Sequence, residues 1–85
     1  MTRRRYDPQG RPIIGAGAAV SQSIRDSIME SARDVAVTLD GRPARLVGGF
    51  DDWPRVAPIG RADLGAVYSW QAVRHVLASG GRFKI

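Results

Sequence analysis

The chain has 85 residues, no cysteine and a net charge of +5, with 13 basic residues against 8 acidic ones. A chain of this length buries only about 60–65% of its unfolded surface, and without cysteine neither a disulfide nor a thiolate metal site can supplement so small a core, which leaves oligomerisation or docking on a partner. No apolar run approaches the ~18 residues of a membrane span, and Asp7, Pro8, Gln9, Gly10 and Arg11 follow Arg3-Arg4-Arg5 where a secretory signal would carry its apolar core, so the protein is expected to be cytoplasmic, or made in a cytoplasm and then incorporated elsewhere.

Residues 1–20 read as an extended basic arm. Pro8, Pro12, Gly10, Gly15 and Gly17 break any periodicity, and little beyond Ile13 and Ile14 can fill a core. Residues 21–85 read as one small α+β domain. A helix is predicted over 22–34, capped by Ser21 or Ser23, with Ile24, Ile28, Met29, Ala32 and Val35 on one side. Gln22, Arg25, Asp26, Glu30, Arg33 and Asp34 occupy the other side. Such a helix packs on its own sheet or docks on a partner.

From Val35 the apolar period changes from 3.6 to 2, and Asp40-Gly41 is a two-residue hairpin signal. The return strand is predicted over Ala44–Phe50, with Gly48-Gly49 marking a bulge or a close backbone approach. Asp51-Asp52-Trp53-Pro54 reads as a turn, Arg55–Ile59 as an edge strand because of Pro58, and Gly60–Gly65 as a loop. Ala66–Tyr68 leads into a helix capped by Ser69, where Tyr68 and Val73 have the spacing of a hydrophobic staple. Ala72, Val73, Val76 and Leu77 form its apolar stripe, Gly80-Gly81 its left-handed exit, and Arg82–Ile85 a last strand. The sum is an arm, one amphipathic helix and a five-stranded pattern over 35–85, with a short helix before the last strand, that resembles a small SH3-like β-barrel.

Little in this pattern carries chemistry. Ile14-Gly15-Ala16-Gly17 before a helix superficially resembles a dinucleotide fingerprint, but that motif needs a preceding strand and a second parallel strand bearing an acid, for which the chain is too short. His75 is the single histidine, and its late helical position suits the negative end of the helix rather than a nucleophile pair. Asp51 and Asp52 are adjacent, so in a strand they would point to opposite faces; they read as turn formers. No catalytic, cofactor-binding or metal-ligating residue is assigned, no small-molecule substrate is expected, and the chain is not expected to be an enzyme.

The basic arm is the strongest binding element. Arg3-Arg4-Arg5-Tyr6 with Gly10-Arg11-Pro12 resembles a degraded Arg-Gly-Arg-Pro core of AT-hooks, with Gln9 where the first Arg would stand. Arg33, Arg42, Arg45, Arg55, Arg61 and Arg82 are scattered along the sequence, and Phe50, Trp53, Tyr68, Trp70 and Phe83 serve either as core or as stacking platforms. Twelve of the 13 basic residues are Arg, a skew that codon usage in a GC-rich genome produces by itself, although Arg also forks onto phosphate and carboxylate better than Lys.

The stretches LDGRPARLVGGF and YSWQAVRHVLASGGRFKI resemble small uncharacterised proteins of high-GC Gram-positive bacteria and their phages. The likeness covers residues 35–85, implies a phage or accessory-gene setting, and implies no functional residues. The leading expectation is a non-enzymatic protein–protein assembly module, of the phage minor structural, capsid or decoration type. It would dock on a larger assembly or a second copy through Arg3, Arg4, Arg5, Tyr6, Arg11, Ile13, Ile14, Ile24 and Ile28. The alternatives are a small DNA- or RNA-binding regulator that uses the Arg-rich arm, and a phage inhibitor of a host protein.

Overall fold

Asp40 and Gly41 both take positive φ, 50° and 82°, the backbone of a type I′ turn, and this one local choice sets the register of the sheet's centre. A computed structural model of the chain describes residues 6, 10–15, 20–47, 53–61 and 64–84. The elements in chain order are β1 (Ile13–Ile14), α1 (Gln22–Ala32), β2 (Thr38–Leu39), β3 (Arg42–Val47), β4 (Arg55–Pro58), β5 (Ala66–Tyr68), α2 (Trp70–Ala78) and β6 (Arg82–Phe83). The fold is α+β, with two helices and a curled six-stranded sheet, a half-barrel, in the order β1-β5-β4-β3-β2-β6. β2 to β5 form an antiparallel meander, and β1 and β6 join its two borders in parallel, β1 on β5 and β6 on β2.

The sixth strand comes from the expected arm. Ile13 and Ile14 pair with Val67 and Tyr68, the Ser69 amide donates to the Ile14 carbonyl at 2.9 Å, and Ile14 packs on the core. Two consecutive isoleucines in a polar segment are thereby used to cover the border of β5. Local pairing shortens other expectations, and β4, expected as an edge strand, instead lies between β3 and β5 with Pro58 as its last residue. Helix α1 ends at Ala32, two residues early, in a turn over 33–35, and β2 begins only at Thr38, although the Ala44 amide still donates to the Val37 carbonyl in the same register. The predicted bulge at Gly48-Gly49 and the turn at Asp51-Asp52 lie outside the described residues.

Helix α2 is built as its sequence reads. The Ser69 hydroxyl accepts the Ala72 amide at 3.1 Å, and the side chains of Trp70, Val73 and Leu77 are buried. At the other end, the Gly81 amide donates to Val76 and the Gly80 amide to Leu77, the paired 6→1 and 5→2 bonds of a Schellman motif. Gly81 is buried and sits where a Cβ would stand 2.5 Å from Val35 Cγ1. The second helix therefore leaves directly over the turn that ends the first.

Tyr68 closes the curl. Its ring stands 5.0 Å from that of Phe83 at 67°, an edge-to-face pair between β5 and β6. Its hydroxyl donates to the Lys84 carbonyl at 2.8 Å. Ile28, Leu39, Ala44, Val56, Tyr68, Trp70, Val73, Leu77 and Phe83 make up most of the core beneath this pair. Burial, and secondarily the Asp40 carboxylate, push the Tyr68 phenol from 10.0 up to about 12. The neutral phenol's share of stability is therefore fully present below about pH 10 and is lost as pH rises toward 12. Urea midpoints measured across that window should fall more steeply for the wild type than for Tyr68→Phe. At neutral pH that variant should cost about 1 kcal/mol for the lost hydrogen bond; parallel pH profiles would show that the phenol is not held neutral by the fold.

Candidate interaction surface

The nine residues expected to meet a partner do not share one environment. Arg3, Arg4 and Arg5 lie outside the described residues. Tyr6 is 57% exposed and bridges to Pro12 in antiparallel fashion, with Gly10 at φ 82° between them. Arg11 is half-buried and donates through Nη1 to the Gly65 carbonyl at 3.5 Å. Ile13 and Ile14 are half-buried in β1. Gly15 shows why that segment lies so close to α2: a Cβ there would stand 2.5 Å from the Ala72 Cβ and 3.0 Å from the Ser69 Oγ. The glycine that looked like part of a phosphate loop permits a close approach between β1 and the start of α2.

The two helical isoleucines part company. Ile28 is 5% exposed and belongs to the core, whereas Ile24, one turn earlier, is 43% exposed. Helix α1 packs on α2; Ile28 enters the core, and Ile24 stays at the rim of the space between the two helices. Ile24 stands at an open groove of about 520 Å³ between the helices, with Ser23, Ser27 and Ser31 along the α1 wall and Arg74 and Ala78 on the α2 wall. Leu77 and Ile28 reach the groove from the core side. A second groove, of about 620 Å³, lies between the C-terminal half of α1 and β3. It exposes Met29, Ala32, Leu46 and Ile59, flanked by Arg33 and Arg45. This groove was missed in the sequence because it brings together residues from α1, β3 and the turn after β4, and only the strand register places them side by side.

His75 is exposed in the last turn of α2. Asp51 and Asp52 lie outside the described residues. Among the described residues, no three of His, Cys, Asp and Glu are grouped as metal ligands, and no helix is long and apolar enough to cross a membrane. No protein family, curated protein or solved structure matches the chain.

Proposed function

We propose that the chain is a non-enzymatic assembly module, a phage-type minor structural or accessory protein whose half-barrel is the body of a small SH3-like barrel. It docks on a larger protein through the inter-helix groove and through the arm that precedes β1. The observation that carries this reading is Ile24, an isoleucine on the apolar stripe of α1 that remains 43% exposed beside an open groove. Isolated apolar residues are common on surfaces; this one adjoins a concave surface reaching Ile28 and Leu77, the form that a protein side chain fills. The setting of the reading is a host-cell cytoplasm or a virion, consistent with the resemblance of residues 35–85 to small phage and actinobacterial proteins.

The test is photo-crosslinking from position 24 in the cell that makes the protein, with Gln71, exposed on α2, as the comparison position. A single discrete protein adduct from position 24 and none from 71 is expected. Excess wild-type chain should compete it away, and Ile24→Glu should compete at least about tenfold less well. Because Ile24 is exposed, Ile24→Glu should change unfolding stability by no more than about 0.5 kcal/mol. Equal diffuse labelling from both positions would overturn the docking assignment. The alternative of a DNA- or RNA-binding regulator is favoured by a separate observation, the placement of the strand arginines.

A further inference from the structure

The six strands carry Arg42, Arg45, Arg55 and Arg82 and no aspartate or glutamate. Of the described acids, Asp26, Glu30 and Asp34 lie on α1 or the turn that ends it, and Asp40 lies in the β2–β3 turn. Helix α1 and its turn also hold Arg25 and Arg33, so that side is close to neutral.

The ladder pairing fixes which way the strand arginines face. Residues directly opposite each other share a face of the sheet, as do residues two apart on one strand. Thr38 is opposite both Arg82 and Pro43, and Arg45, two residues beyond Pro43, is opposite Ala57. Arg55 is two residues before Ala57. Arg82, Arg45 and Arg55 therefore share the outer face, while Phe83, Leu39, Ala44 and Val56 point to the core, over which Ile28 places α1. Arg45 and Arg82 are exposed, whereas Arg55 is half-buried, and Ala57 and Val67, which share its end of this face, are buried. On strand and residue spacings, the Arg45 Cα is about 8 Å from that of Arg55 and about 12 Å from that of Arg82. Arg82 and Arg45 form the exposed part of a diagonal row across β6, β3 and β4, and Arg55 its covered end.

We propose that this outer face holds the phosphate backbone of duplex DNA without reading its bases. Guanidinium forks phosphate in bidentate fashion, and the row is positive with no carboxylate on its strands. Among the described strand residues, the outer face carries no aromatic ring on which a splayed base could stack, so the contact is to backbone rather than to single-stranded bases. Among the described strand residues it also lacks the aromatic anchor that commonly centres a protein interface, its exposed apolar side chains there being Pro43 and Val47. This inference uses the sheet alone and is independent of the groove reading.

The experiment is fluorescence anisotropy of the full chain with a labelled mixed-sequence duplex of about 20 base pairs, titrated between about 50 and 200 mM salt. Wild type should bind with an affinity that falls linearly in log salt. Each of Arg45→Ser and Arg82→Ser should reduce that slope by about 0.9, and the double variant by about 1.8. At the low-salt end the double variant should weaken binding about 10- to 100-fold. Arg45→Lys with Arg82→Lys should keep the slope, which separates charge from any effect on folding. Three outcomes would each overturn the proposal. One is no binding at the lowest salt; another is an unchanged slope in the double serine variant, which would move the contact to the arm. The third is poly-glutamate competing as well as unlabelled duplex, which would make the occupant an acidic protein.

Discussion

Phe83→Ala should remove a large share of the fold's stability. Truncating a buried phenylalanine costs about 3–5 kcal/mol, against a total of roughly 4–13 kcal/mol for a domain of this length. Phe83 is 1% exposed and is the aromatic partner of Tyr68 across the open side of the curl. Its loss removes core volume and also the edge-to-face contact that joins β5 to β6. Urea unfolding followed by tryptophan fluorescence, to which Trp70, 2% exposed, contributes together with Trp53, would measure this. A midpoint that corresponds to less than about 1 kcal/mol of destabilisation would mean that the half-barrel does not depend on that contact. Phe83→Leu keeps most of the apolar volume and should recover at least half of the loss.

Gly81→Ala should be the second most damaging change, at about 2–4 kcal/mol. Two costs combine. The residue sits at φ 79°, where an L side chain pays about 1–2 kcal/mol. A Cβ there would also stand 2.5 Å from the Val35 Cγ1 and 3.2 Å from the Ala36 carbonyl oxygen, forcing the turn after α1 away from the end of α2. Gly80→Ala is the internal comparison: it pays for a positive φ of 112° but meets nothing within 4 Å. Thermal melts of the two variants should therefore differ by several degrees, Gly81→Ala the lower. Equal melting temperatures would show that backbone strain alone matters at this junction.

The parts of the fold that were legible in the sequence are those held by short-range chemistry. Ser69, Gly80 and Gly81 announced both ends of α2, because caps are decided within a few residues. Asp40-Gly41 announced its hairpin because only a few residue types accept two successive positive φ angles. By contrast, β1 was not legible: Ile13 and Ile14 find partners more than half the chain away, and two residues produce no alternation to read. Strand ends shifted for the same reason, since β2 is delimited by what Arg82 and Phe83 offer from the far terminus. The candidate surfaces divide in the same way. The apolar side of α1 was plain from its spacing, but the burial of Ile28 and the exposure of Ile24 depend on how α1 meets α2. The arginines looked scattered until the ladder registers placed three of them on one face.

The parallel borders also bear on the order in which the molecule assembles. The meander β2 to β5 is joined by consecutive segments and can zip from the Asp40-Gly41 turn outward, with modest loop closure at each step. Neither β1 nor β6 can add until widely separated stretches of chain have met, a search that slows folding. The two borders are then the last parts to form and the first to open. In native-state hydrogen exchange they would be the least protected part of the sheet, so a partner that adds to either border would meet backbone already released for pairing.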